Sequence, residues 1–170
     1  MKPLWQTSSW EELSEERRYR CDAELPENEE ITLLSRLIFA EAAGESTLGK
    51  EAVGCVVRNR VEAPSKYQRE FGSGYKGVIT KPGAFAGVGS RLWNLVDNIE
   101  SLRKEDCETL KECIETAGSI YYGGISDPTD GAQFFISGAS LPTWLERAIE
   151  RGRIIETVQI GGHRFFKYKD

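Results

Sequence analysis

Glu41 stands in the run LLSRLIFAEAAGE, residues 33–45, an acid carried along the apolar side of a helical pattern. Leu34, Leu37, Ile38 and Glu41 recur at the spacing of one helix face. A carboxyl on such a face near a helix end is partly desolvated, and desolvation favours its protonated form. A carboxylic acid that keeps its proton at neutral pH is what glycosidic bond cleavage requires, because the leaving oxygen must be protonated. The pattern equally suits a glutamate at the helix border that points to water and does no chemistry. Glu45 follows at i+4 on the same side. A second acid, a substrate ligand and a solvated cap all fit it. Gly44 reads as a helix stop, or as a point of close approach for backbone or ligand.

Other side chains have two readings each. His163 is the only histidine and follows Gly161-Gly162; it can serve as a base or a ligand, although a surface position at a strand end is commoner. Asp127, Thr129 and Asp130 in DPTDG either bind a ligand or close a turn with Asx hydrogen bonds. Phe85, Tyr75, Trp93, Phe134, Phe135 and Trp144 offer rings for sugar stacking, and core packing is the more frequent use of such rings. Competing chemistries lack their signatures. There is no GxSxG elbow, no P-loop and no HExxH. A Cys–His nucleophile would have to use His163, and nothing marks any cysteine as activated.

These residues need elements to hold them. Glu41 sits late in a helix that starts near Asn28 or Glu29, with Asn28 suited to cap it and acids in its first turn. Ser46 or Thr47 caps a further helix, LGKEAVGCVVRNRVEA, in which Leu48, Val53, Val56, Val57 and Arg60 share the period. Residues 62–90 are rich in Gly and hold two prolines, which predicts a functional loop or short strands. A helix around 91–99 follows, and another near 105–121 puts Cys107, Leu110, Ile114, Ala117 and Tyr121 on one side. GGISDPTDG is a turn signal, and AQFFI after it reads as a strand. Pro142 opens a helix, TWLERAIERG, closed by Gly152. IIETVQI-GG-HRFFKY reads as a β-hairpin with a type I′ turn at Gly161-Gly162. The fold class is therefore α+β, helix-rich with a small late β element, and not an alternating α/β layout.

Ahead of this unit, Ser9 to Glu12 fits a capping box for a short helix through about Arg20, and CDAELPENEE follows with five acids and no base. Residues 1–28 thus read as an N-terminal helical extension with an acidic linker, and 29–170 as the main domain. The chain of 170 residues suits one domain that buries a sizeable core without a disulfide or metal. The net charge of −5 and pI of about 5.1 argue against a nucleic-acid partner, which would want a basic face. Cys21, Cys55, Cys107 and Cys113 include no CxxC pair, and one histidine cannot complete a usual zinc quartet, so no metal is expected. Cys107 and Cys113, six apart, should face different directions. Free thiols made in a reducing compartment are the expectation, with bridges left open by the even count. The N-terminus has no apolar h-region, and no run approaches a membrane span. Synthesis in the cytoplasm without a signal peptide is expected, and a monomer.

Several segments together resemble the SleB-like cell wall hydrolases, the spore-cortex lytic type also found in phage lysins. They are LLSRLIFAEAAGEST with GKEAVGCVVRNRV, then GVITKPGAFAGV, then DPTDGAQFFI, then IGGHRFFKY, in the family's order over residues 30–168. The resemblance implies a lysozyme-related α+β fold that cleaves the MurNAc–GlcNAc backbone of peptidoglycan glycan strands, with no cofactor. It puts the essential acid at Glu41. It implies a lytic transglycosylase giving 1,6-anhydro ends, the apolar face keeping Glu41 protonated and Gly44-Glu45 completing the cleft floor. Glu45, Phe85, Asp127, Thr129 and His163 are the expected substrate-binding residues. A hydrolytic muramidase with Glu45 or Asp130 as second carboxylate is one alternative; a non-catalytic wall-binding or phage structural protein is another. The family often has Arg where Ala43 stands and GG where Asp130-Gly131 stands. A phage-type endolysin, released by a holin, or an injected toxin fits this chain better than an exported spore enzyme.

Overall fold

Asn28 starts the first helix as the sequence predicts: its side-chain oxygen accepts from the backbone N–H groups of Glu30 and Ile31 at 2.9 and 3.2 Å. The computed structural model describes residues 19–170. The capping box at Ser9 to Glu12 lies outside the described residues.

Helix α1 spans Glu29–Ala42 and buries Leu34, Leu37, Ile38 and Phe39 completely. Helix α2, Thr47–Val61, is capped by Ser46, whose hydroxyl accepts from Gly49 N–H at 3.2 Å. Leu48 departs from its expected place in the apolar stripe. It lies in the first turn of α2, where nothing packs over it, and is 49% exposed. The buried stripe begins with Ala52 and Val53.

Residues 62–90 hold no strands; short helices occupy part of the segment and a loop the rest. A 3₁₀ turn at Ser65–Tyr67 leads into α3, Gln68–Phe71, and α4, Gly74–Thr80. Such short helices carry little intrinsic stability and little periodic signal. Packing sustains them, through buried Phe71, Tyr75, Val78 and Ile79. Turns over 81–90 lead to α5, Arg91–Leu95, a 3₁₀ segment Val96–Ser101, and the long α6, Lys104–Tyr121.

Helix α6 packs against both α1 and α2. Cys107 and Cys113 are both fully buried, in spite of their different directions, because α6 is covered over a wide arc. Part of that cover is the segment that starts at Tyr19: Cys21 is disulfide-bonded to Cys107, with Cα atoms 5.6 Å apart. This corrects the expectation of four free thiols. Cys55 and Cys113 remain free and buried. Ala23 and Leu25 also pack on the helical core, so the end of the expected 1–28 extension lies against the domain.

The β element is a three-stranded antiparallel sheet in the order β1-β3-β2, with β1 at Phe134–Ser137, β2 at Ile154–Ile160 and β3 at His163–Tyr168. The hairpin turn falls at Gly161-Gly162 as read from the sequence, but only Gly161, at φ 56°, is in the left-handed region, so the turn is not the expected type I′, which needs positive φ at both residues. Successive residues of a strand face opposite sides. Phe165 therefore joins the helical core, while Phe166 joins a second cluster with Phe71, Phe134, Leu145 and Ile154. Helix α7, Thr143–Glu150, covers that second face through Leu145. The α+β class is as expected. No helix among the described residues is long and apolar enough to cross a membrane.

Candidate active site

The last turn of α1 presents Glu41 to a cavity of about 290 Å³. Three further segments complete the walls. The turn after α4 brings Ala84, Phe85 and Ala86; the end of α2 brings Arg60; β1 and the chain beyond it bring Phe135, Ile136, Ser137, Ser140 and Pro142. The cavity thus lies between the helical layer and the edge strand of the sheet.

Glu41 is held by a residue that sequence reasoning missed. Gly87 donates its backbone N–H to Glu41 Oε1 at 2.5 Å. A Cβ at position 87 would stand 2.7 Å from that oxygen and 2.9 Å from the carboxyl carbon, closer than such atoms approach. The glycine therefore lets the backbone reach the acid. Its only signal was its place in GAFAGV.

Arg60 is the second missed residue, although it was visible as a base within an apolar stripe. Its Nε–H donates to the Gln133 carbonyl at 2.7 Å. Its guanidinium carbon lies 4.5 Å from the Phe85 ring centroid, 5.2 Å from Phe71 and 5.5 Å from Phe134. Burial pushes the guanidinium below its usual range. Among the described residues no carboxylate comes within ion-pair distance of it. Its neighbours fasten the same region. Arg58 donates to the Ile125 carbonyl at 2.9 Å, and Asn59 to Asp127 Oδ2 and the Ala132 carbonyl at 2.9 and 2.8 Å. Three consecutive side chains of α2 thus anchor the loop that leads into β1.

Phe85 lines the cavity and packs near Phe135, their centroids 6.1 Å apart. The other ring candidates are distributed more widely. Tyr75 is in the helical core and Phe134 in the second cluster. Trp93 lies under the Arg36 guanidinium at 4.6 Å. Trp144 is 53% exposed, with its ring 5.7 Å from that of Phe134.

Glu45 does not line the cavity. Helix α1 ends at Ala42, so the chain turns before the i+4 relationship is completed, and the expected cleft floor at Gly44-Glu45 is absent from the walls. The Glu45 carboxylate accepts from Gly162 N–H instead, at 3.2 Å. A Cβ at Gly162 would come within 2.8 Å of Glu45 Oε1, and Gly161 is equally intolerant of one. Lys50, itself buried, donates to the Glu45 carbonyl. His163 is 3% exposed rather than on the surface, with Nδ1 at 3.6 Å from Glu45 Oε1 and no hydrogen-bond partner. Glu45 thus holds the hairpin turn to the segment just before α2, with the buried His163 ring beside it.

Asp127 and Thr129 sit in the turn before β1. Asp127 Oδ1 accepts from Thr129 N–H at 2.8 Å and from its hydroxyl at 2.6 Å, and Oδ2 accepts from Gly131 N–H at 2.8 Å. Burial pushes the Asp127 carboxyl up, but these bonds and the one from Asn59 outweigh it and hold the group below its ordinary range. Thr129 is fully buried, and its Oγ1 accepts from Ala132 N–H. Neither residue lines the cavity. Asp130 has φ 56°, the left-handed region that favours glycine, at one of the two positions where the resemblance has GG. Among the described residues no three of His, Cys, Asp and Glu gather as metal ligands.

Comparison with known proteins bears on the fold and the family. The chain is similar to the spore cortex-lytic enzyme of Bacillus cereus, 31% identical over 93 residues that make up 55% of this chain and 34% of the relative. The corresponding enzyme of Halalkalibacterium halodurans is 28% identical over 102 residues, 60% of this chain and 29% of the relative. The chain therefore spans about a third of the length of those enzymes. Among solved structures, the catalytic domain of the germination-specific lytic transglycosylase SleB from Bacillus anthracis superposes with TM-score 0.56 and 26% identity, over 84% of this chain and all of that one. The catalytic domain of Bacillus cereus SleB, at 24% identity, shares the fold, with TM-score 0.52 over 84% of this chain and 95% of that one. The cell wall hydrolase family model matches residues 44–166, beginning three residues after Glu41 and running through the sheet that faces it, and by that match the chain belongs to the cell wall hydrolase family.

Proposed function

We propose that residues 29–170 cleave the glycan strands of peptidoglycan between MurNAc and GlcNAc as a lytic transglycosylase, with Glu41 as general acid and base. The observation that carries this reading is the carboxyl of Glu41 on the cavity wall, oriented by the Gly87 N–H, as the one carboxylate among the lining residues. Hydrolysis by a pair of acids needs a second carboxylate across the sugar. Glu45 is engaged with Gly162, and Asp130 with Lys167 at 3.3 Å on the surface. A single acid suffices for the transglycosylase. Glu41 gives its proton to the glycosidic oxygen as the bond to the MurNAc anomeric carbon breaks. The resulting carboxylate takes the proton of the MurNAc 6-hydroxyl, whose oxygen bonds to that carbon. The product is a 1,6-anhydro sugar, and no metal or cofactor enters the step. Phe135, partly exposed on the cavity wall, offers its ring to a sugar, while Phe85 is buried against the Arg60 guanidinium.

The test is digestion of purified peptidoglycan by wild type and Glu41→Gln, with soluble products read by mass spectrometry. Anhydro-ended muropeptides from the wild type and none from the variant support the reading. Reducing ends would instead assign a water-using muramidase. Equal digestion by both proteins would remove Glu41 from the chemistry, and binding without turnover by the wild type would make this a wall-binding protein. The proposal includes an endolysin role at the wall after release or injection. The Cys21–Cys107 bond supports action outside the reducing cytosol. Lysis of cells that express the chain only when the membrane is permeabilised would test it.

A further inference from the structure

Arg60 lines the cavity that holds Glu41, and among the described residues no carboxylate lies within ion-pair distance of it. Its Nε–H is committed to the Gln133 carbonyl and its flat faces to phenylalanine rings. Its two terminal nitrogens have no hydrogen-bond acceptor among the described residues and are not fully enclosed, and the side chain forms part of the cavity wall. A guanidinium fixed at one nitrogen, with the rest of its fork free, is preorganised for a planar anion. Ser137 and Ser140 add hydroxyls to the same walls. Arg164, by contrast, engages its fork within the protein, with two bonds to Glu156 at 2.9 and 2.7 Å.

We infer that Arg60 binds a carboxylate of the glycan strand beside the bond whose oxygen Glu41 protonates. This rests on the proposed glycan-cleaving function and adds a specificity to it. Muramic acid offers such a group in two ways. Its lactyl carboxyl is free where the stem peptide has been removed, and where the peptide is present the carboxylates lie on the peptide. Both present the same chemistry to the guanidinium.

The experiment uses the Glu41→Gln protein, so that strands stay intact, and measures binding of fluorescently tagged glycan strands by anisotropy. Peptide-bearing and peptide-stripped strands are each compared before and after their carboxylates are capped as methylamides. Capping should weaken binding of the strand class that Arg60 reads about tenfold, the value of a charge-assisted pair in a partly enclosed site. The class that responds identifies the source of the carboxylate. Adding Arg60→Gln should remove the difference between capped and uncapped strands, and Arg60→Lys should restore part of it. Circular dichroism melting shows that each variant is folded. If folded Arg60→Gln keeps the full discrimination, or if capping changes nothing in a protein that binds and cuts strands, the assignment of Arg60 is wrong while the function stands. If no strand is bound by Glu41→Gln and none is cut by the wild type, both fall together.

Discussion

The amide of Gly87 and the carboxyl of Glu41, 46 residues apart in sequence, meet at 2.5 Å on the cavity wall. The contact fixes one carboxyl oxygen and leaves the acid anchored at a single point. Gly87→Ala tests how much turnover depends on that anchor. The added methyl would meet the carboxyl and the Ala40 Cβ at 3.0 Å. Displacement of a catalytic group by about 1 Å costs roughly a hundredfold in rate. A fall of that order in wall digestion is expected, with a much smaller change in melting temperature. Unchanged digestion would mean that the acid works without this amide.

Glu45 should behave differently from Glu41. Glu45→Gln weakens the bond that holds Gly162 but touches nothing in the cavity. A loss of about 1 kcal/mol in stability is expected from one weakened hydrogen bond, read from chemical denaturation. Activity should fall far less than the hundredfold or more expected for loss of a general acid in Glu41→Gln. Equal losses from the two substitutions would bring Glu45 into the chemistry.

The cysteines make a countable prediction. Burial pushes the thiols of Cys55 and Cys113 up to about 12, so both are protonated and shielded in the folded protein. A thiol reagent should modify neither in the native state, two after unfolding, and all four after unfolding with reduction. The Cys21–Cys107 bridge closes a loop with a sequence separation of 86. Its removal by Cys21→Ser should cost about 4 kcal/mol on the chain-entropy argument.

Asp127 gives the stability a pH dependence of defined sign. Its folded pKa lies below its unfolded value, so the contribution is fully present above the ordinary aspartate range near 3.9 and is lost as pH falls through the depressed folded value. Acid denaturation curves should show this loss in the wild type and a reduced one in Asp127→Asn. At neutral pH the amide variant should be less stable by about 2 kcal/mol, since it breaks charge-assisted bonds to two backbone amides and a hydroxyl.

The legible parts of the molecule were those written in local periodicity. Helices α1, α2 and α6 and the hairpin at Gly161-Gly162 follow from apolar spacing, caps and turn chemistry, which depend on near neighbours. Within residues 62–90, read as a functional loop or short strands, the loop at 81–90 does reach the cavity, but α3 and α4 were not seen because they are held by what packs on them and not by their own sequence. Glu41 could be singled out as an acid in an apolar stripe. Its partner Gly87 could not, since a glycine needed for close approach looks like any other glycine until the two segments meet. Glu45 was paired with Glu41 by helical i+4 spacing, but the helix ends three residues before it, at Ala42, and the turn that follows moves it to another neighbourhood. Cys21 lies in an acidic stretch without pattern, so nothing in the chain announced Cys107 as its partner.

The disulfide also divides the cavity by covalent connectivity. Glu41, Arg60, Phe85 and Gly87 all lie within the ring closed by Cys21 and Cys107, whereas Phe135, Ser137 and Ser140 lie outside it. A protease cut anywhere inside the ring leaves the fragments tied together by sulfur. A cut between α6 and β1 severs the opposite wall, which then stays in place through non-covalent contacts alone: the bonds from Arg58, Asn59 and Arg60 to the loop before it, the Glu45–Gly162 bond and the packing of Phe165 on the helical core.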